Sequence, residues 1–297
     1  MITSKKKILF YLLLSALIIS CQKEVDDFGT IVNPPAPTND SIYLDKMYEL
    51  YDDGTGLDTV AIIQFSYDAQ KRITKWSITD VLTGPYIDYN YYYNGTDTIP
   101  FKTLFIDYDP GTPDTILSFH TYDASGKNLQ DSSLISRPSS GSNAIEIFNY
   151  SYAPGKRFGD LRKENLQPTT SVYFYRDTAS IDASGNIVSI VRYTDEISGN
   201  MELYSNANYT YDNKINPFSR QNIFKAHQQA YSNEESLFYE YMPFNNMMSH
   251  IETITPVGSS PLNENFTWTY NSNNLPVKSV LVNGTDTSVL LYTYRQL

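Results

Sequence analysis

The chain reads as an all-β protein: an antiparallel meander of hairpins curling into a half-barrel or rolled sheet, with one short helix near residues 219–231. Three observations carry this reading. Tyrosine and phenylalanine are abundant, 26 and 14 in 297 residues, and aromatic side chains favour strands because they pack across a pleated surface. Turn signals, several containing Asn-Gly or Ser-Gly, recur between short alternating runs. A strand-and-turn unit also repeats along the chain.

Residues 1–20 come first and stand apart. Lys5, Lys6 and Lys7 precede an unbroken apolar and small-residue run from Ile8 to Ile19, and Ser20 precedes Cys21. The positive start, short greasy centre and small residue at the end are the three parts of an export leader. The run is shorter than the roughly 20 apolar residues a helix needs to cross a bilayer. Cys21 is the only cysteine, so no disulfide forms within one chain.

Residues 21–42 read as a tether. Gln22-Lys23-Glu24-Val25-Asp26-Asp27 is acidic, and Asn33-Pro34-Pro35-Ala36-Pro37 makes a semi-rigid spacer. Residues 43–297 then read as a single β domain. The formal net charge is −11, and no basic cluster follows Lys7. That excludes nucleic acid as a partner and disfavours electrostatic docking on anionic lipid.

The repeated unit is a Gly-Thr turn, an Asp-Thr pair, a strand, and an aromatic-x-Tyr pair. It runs from Gly54 to Asp68 and returns from Gly111 to Asp123. Shorter versions start at Asn94-Gly95 and Asn283-Gly284. Since i and i+2 share a strand face, Phe65 and Tyr67, Tyr209 and Tyr211, Trp268 and Tyr270, and Tyr292 and Tyr294 each set two rings side by side. The loops after them, Asp68-Ala69-Gln70-Lys71-Arg72, Asp123-Ala124-Ser125-Gly126-Lys127 and Asp182-Ala183-Ser184-Gly185-Asn186, are variants of one turn. The Asp bonds back to loop amides and Gly takes the left-handed position. Further strands follow at Ile73–Ile78, Leu129–Leu134 and Ile187–Tyr193. Strand alternation stops from Ser219 to Tyr231, where Ile223, Phe224, His227 and Tyr231 fall at helical spacing; this predicts the helix. An open sheet has bare edges, so charged or proline-bearing edge strands are expected, the Pro276 strand among them.

Ile18-Ile19-Ser20-Cys21 resembles the lipobox of bacterial lipoproteins, which implies that Cys21 is diacylated and begins the mature chain. The acidic run after it is similar to the signal that sends Bacteroidetes lipoproteins to the outer face of the outer membrane; the periplasmic face is the alternative. Tyr-x-Tyr-Asp-x-x-Gly-x-Ile resembles the YD repeat of Rhs-type proteins and of Bacteroidetes outer-membrane lipoproteins of unknown function. Tyr209 to Phe218, Phe244-Asn245-Asn246, and Trp268 to Pro276 carry the likeness to that lipoprotein set. Several loops lack the glycine, notably Gln70-Lys71 and Asn213-Lys214. The resemblance supplies no catalytic residues. Asp40-Ser41, Asp58-Thr59, Asp97-Thr98, Asp114-Thr115 and Asp177-Thr178 are similar to the O-glycosylation acceptor of Bacteroidetes envelope proteins.

Chemistry is sparse. His120, His227 and His250 lie far apart and form no close ligand spacing, so no metal or other cofactor is expected. No Gly-x-Ser-x-Gly elbow or phosphate-binding glycine loop occurs. Trp76 and Trp268, then Tyr91, Tyr92 and Tyr93, are the candidates for stacking on a sugar. Two functions are weighed. One is a non-enzymatic binding or structural accessory of the outer membrane, with a glycan or an envelope protein as partner. The other is a polysaccharide-directed hydrolase with a carboxylate pair, one carboxyl in an apolar setting.

Overall fold

The computed structural model describes residues 42–52, 57–108, 112–167, 169–196, 199–220, 245–255, 261–283 and 286–297. The leader, Cys21 and the tether lie outside them. Sixteen strands follow one another: β1 (Ile42–Asp52), β2 (Leu57–Tyr67), β3 (Ile73–Asp80), β4 (Gly84–Tyr92), β5 (Lys102–Asp107), β6 (Asp114–Tyr122), β7 (Asn128–Arg137) and β8 (Ser142–Ala153) make the first half. The second half is β9 (Lys156–Gln167), β10 (Ser171–Ile181), β11 (Ile187–Thr194), β12 (Glu202–Ile215), β13 (Asn245–Ile254), β14 (Leu262–Tyr270), β15 (Pro276–Asn283) and β16 (Asp286–Gln296).

Each strand pairs antiparallel with its neighbours in sequence, and β1 pairs with β16 from Ile42↔Gln296 to Tyr51↔Ser288. The sheet is therefore a closed sixteen-strand barrel, not the expected half-barrel or rolled sheet. Closure satisfies the backbone groups that a half-barrel would leave bare along two edges. It also places Met47 between Ile63 and Tyr292 on the inner face. There is no edge for the Pro276 strand to occupy. Pro276 instead opens β15, opposite Tyr270, a first-residue position where a missing N–H is tolerated.

The expected helix is also corrected. Among the described residues there is no α-helix, only a 3-10 turn at Pro217–Arg220; residues 221–231 lie outside them. Phe218 in that turn packs edge-on against Phe65. No helix of the described residues is long and apolar enough to cross a membrane.

The aromatic doublets point inward, with alternation putting their neighbours outside. Leu44, Met47, Phe65, Trp76, Tyr89, Phe105, Phe218 and Tyr292 belong to one buried cluster, and Ile190, Tyr209, Met247 and Phe266 to another; Trp268 packs against both. Strand β7 runs against the apolar-inside reading. Its Leu129 and Leu134 are exposed, while Asn128, Asp131 and Ser133 are buried.

Four turns share one geometry. In Asp68–Arg72, Asp123–Lys127, Asp182–Asn186 and Asn271–Leu275 the first residue's Oδ1 accepts the amides two and four residues on. The fourth residue has positive φ: Lys71 63°, Gly126 78°, Gly185 92° and Asn274 57°. The turns without glycine thus keep the same backbone and place Lys or Asn in the left-handed region. At this rim the Tyr67, Tyr93, Tyr122, Tyr152, Tyr211 and Tyr294 hydroxyls each donate to a main-chain carbonyl of an earlier hairpin, at 2.6–3.0 Å.

Candidate functional site

Toward the end of the barrel away from these turns, the inner face becomes polar. Strand β13 alternates so that His250 and Glu252 both face in, and β14 brings Glu264 directly opposite His250. His250 Nδ1 is 2.9 Å from Glu264 Oε2, and its ring lies parallel to Tyr209 with centroids 4.7 Å apart. These contacts fix the ring plane and set Nδ1 against a carboxylate acceptor. Nε2 has no hydrogen-bond partner and lies 3.8 Å from Glu252 Oε2.

Around the same inner face, Lys163 pairs with Glu146 at 3.4 Å and Arg192 with Asp177 at 3.1 Å. Glu49 accepts from Ser288 Oγ at 3.4 Å. Burial raises the Glu49 carboxyl above the ordinary range, and the Ser288 bond only partly offsets this. Glu49 is the carboxyl in an apolar setting that the hydrolase reading asks for, but its one hydrogen-bonding neighbour is a serine hydroxyl and no second acid is paired with it here.

A second polar group is packed more tightly. His120 Nδ1 is 2.6 Å from Asp131 Oδ1, and His120 Nε2 is 3.1 Å from Thr103 Oγ1. Asn128 Nδ2 donates to Asp131 Oδ1, and Tyr150 donates to Oδ2 at 2.7 Å. The hydroxyl–imidazole–carboxylate order matches a nucleophile, base and orienting acid. All five residues are buried, and each Asp131 oxygen is already bonded. The group therefore acts as a hydrogen-bonded polar core, in which both His120 nitrogens and both Asp131 oxygens are engaged and strand register is fixed through directional bonds.

The aromatic candidates are mostly core residues. Trp76 is buried and stacked between Phe65 and Tyr89. Tyr91 is buried beside it, and Tyr93 donates to the Ile73 carbonyl. Trp268 Nε1 donates to the Met247 carbonyl at 2.7 Å. Tyr92 alone of the five is on the outer surface, with Lys102 Nζ 4.0 Å above its ring. Trp76, Tyr91, Tyr93 and Trp268 thus lie in or against one buried cluster, as core packing, and Tyr92 lies apart from them. His250 and Glu252 escaped the sequence reading, although His-x-Glu within an alternating strand was the available signal for a shared face.

The outer wall carries charge. Lys75 pairs with Asp88, Arg162 with Glu164, and Arg176 with Asp160, all on outward positions. On β14 the outward residues Asn263, Asn265, Thr267 and Thr269 are polar and exposed from end to end.

No family model matches the chain, and no curated protein matches it. Among solved structures it is similar to a porin-like protein from Bacteroides vulgatus ATCC 8482, with 14% identity and a TM-score of 0.54 over 86% of this chain and 99% of that one. A porin-like protein from Bacteroides uniformis ATCC 8492 has 14% identity and a TM-score of 0.47 over 87% of this chain and 99% of that one. At this identity the likeness is one of fold.

Proposed function

We propose that the chain is a lipoprotein of the outer membrane, held by acylated Cys21, whose barrel stands in the aqueous phase and serves as a non-enzymatic binding or structural accessory. The observation that carries this reading is the outer wall. A lipid-facing barrel presents an apolar band about 25 Å tall, and an outward Arg or Lys at the bilayer midplane costs about 2–4 kcal/mol. Here β14 is polar along its whole outward face, and β9 offers Asp160, Arg162 and Glu164. On these two strands such a band is interrupted, so attachment falls to the lipid, and two acyl chains give a stable hold. Glycans are the proposed ligand class, with the polar inner face around Tyr173, Tyr175, Glu146 and Lys163 as the surface that would receive hydroxyl groups.

A membrane-spanning porin is the second reading, favoured by the fold of the Bacteroides vulgatus protein and by the exposed Val172, Phe174, Tyr193 and Leu203. Expression of the wild type and Cys21→Ser in a Gram-negative host separates the two. The accessory reading expects wild type labelled by radioactive palmitate in the outer-membrane fraction, and the variant released without detergent. Retention of Cys21→Ser as a detergent-dependent membrane protein would overturn it. Binding of the released variant to a glycan array tests the ligand class.

A further inference from the structure

The His250 imidazole and the Glu252 carboxylate face each other on the inner face of β13. His250 Nε2 has no hydrogen-bond partner, although its side chain is only 10% exposed. The Glu252 carboxylate lies 3.8 Å from it. At 3.8 Å the two groups are beyond hydrogen-bond range. A bridging water with two bonds of about 2.8 Å would have to hold them at roughly 85°, tighter than water favours. A metal ion fits better. With bonds of about 2.1 Å to nitrogen and oxygen the angle is about 130°, and closing the pair by roughly 0.4 Å makes it tetrahedral.

The surroundings have the same character. A metal-bound imidazole characteristically donates its other N–H to a carboxylate, which fixes the tautomer and raises the basicity of the ligating nitrogen. Glu264 already does this at Nδ1, and Tyr209 holds the ring in plane. Among the described residues no three His, Cys, Asp or Glu converge in metal-binding geometry, so the described residues offer two protein ligands.

We propose that His250 Nε2 and the Glu252 carboxylate form a two-residue site for a divalent transition-metal ion that favours imidazole, such as Zn²⁺, Co²⁺, Ni²⁺ or Cu²⁺, with Glu264 as the positioning residue. Imidazole with carboxylate suits these ions, whereas Ca²⁺ and Mg²⁺ take oxygen ligands. Glu146 and Asp177 are paired with Lys163 and Arg192, while among the described residues the basic group recorded against Glu252 is His250 itself.

The test is Co²⁺ titration of the full mature chain, read by visible d–d absorption, with Zn²⁺ competition and the Zn²⁺-dependent rise in melting temperature alongside. One saturable Co²⁺ spectrum displaced by Zn²⁺, unaffected by millimolar Mg²⁺, is expected. His250→Ala should abolish it, and Glu252→Gln should weaken binding at least tenfold. Glu264→Gln should weaken binding about 10- to 100-fold while leaving a Co²⁺ spectrum at saturation, a pattern that a merely structural glutamate would not produce. His120→Asn controls for the other described histidine, and circular dichroism of each variant confirms folding. Should His250→Ala not fold, Glu252→Gln decides. An absent Co²⁺ spectrum, or binding that survives His250→Ala or Glu252→Gln unchanged, overturns the proposal and leaves an ordered water between the two groups.

Discussion

The Tyr67 hydroxyl donates to the Leu44 carbonyl oxygen, 23 residues earlier, at 2.7 Å. Five further tyrosines repeat the arrangement, each reaching back 18 to 24 residues to the preceding hairpin. In three of the four named doublets the second tyrosine, Tyr67, Tyr211 or Tyr294, is thus a clasp between adjacent hairpins, whereas Tyr270 donates to the Asp212 carboxylate. Removing one hydroxyl leaves a part-buried carbonyl without that donor, at a cost of about 1 kcal/mol. Tyr211→Phe and Tyr67→Phe should each lower stability by about that amount in urea unfolding. The double variant should lose roughly the sum, because the sites share no partner.

The same clasps set an alkaline limit, and the aspartate turns set an acid one. Burial, only partly offset in places by nearby arginines, raises the Tyr67, Tyr93 and Tyr211 phenols well above their usual value, and pushes Tyr152 up to about 12. A group whose folded pKa is raised contributes stability below its unfolded value and loses it as pH climbs through the folded one. In the turns, the Ser125 hydroxyl and the Lys127 amide lower Asp123, while at Asp68 and Asp182 burial is outweighed by bonds from Arg72 and Asn186. Their contribution is present above the ordinary carboxyl range and disappears as pH falls below about 4. Stability measured by denaturant midpoint should be flat between about pH 5 and 9, then fall on both sides. Asp123→Asn should shallow the acid limb and leave the alkaline limb unchanged.

The left-handed residue of the repeated turn offers a paired substitution. Lys71 sits at φ 63°, where a side chain costs about 1 kcal/mol or slightly more. Its ammonium lies 5.7 Å from the Tyr43 ring centroid, a contact worth roughly 0.5 kcal/mol at an exposed site. Lys71→Gly should therefore stabilise by about 0.5 kcal/mol. Gly185→Ala, at φ 92°, should destabilise by about 1–2 kcal/mol. Equal and opposite shifts are not expected, and thermal unfolding of the two variants distinguishes them.

The local units were legible because their causes are local. Asp123 and Gly126 announce their turn within five residues, and the Tyr209/Tyr211 pair announces a strand face through a period of two. Closure was not legible, since β1 carries none of the aromatic doublets and meets β16 from the far end of the chain. The inside–outside sense of β7 was hidden for another reason. Asp131 and Ser133 are buried by partners on β6 and β8, namely His120, Ser118 and Tyr150, so polarity along β7 alone points the wrong way. The His250 group combines both cases: His250 and Glu252 share a face by strand spacing, but Glu264 joins them only through the β13–β14 register.

Gly159 on β9 shows how a missing side chain can be a packing requirement. A Cβ there would lie 2.3 Å from Cζ of Phe148 and 2.4 Å from Cε1, so the Phe148 ring covers the glycine itself. Its φ lies outside the left-handed region, so the constraint is space and not backbone conformation. Phe148 is 1% exposed and packs against Tyr150 with centroids 4.3 Å apart, leaving the ring little room to swing. Gly159→Ala should cost about 1–3 kcal/mol through overpacking. Phe148→Leu, which shortens the side chain, should cost less in the Gly159→Ala background than in the wild type, because each change relieves part of the other's strain. A double-mutant cycle by urea denaturation measures this coupling, and additive losses would show that the ring does not rest on Gly159.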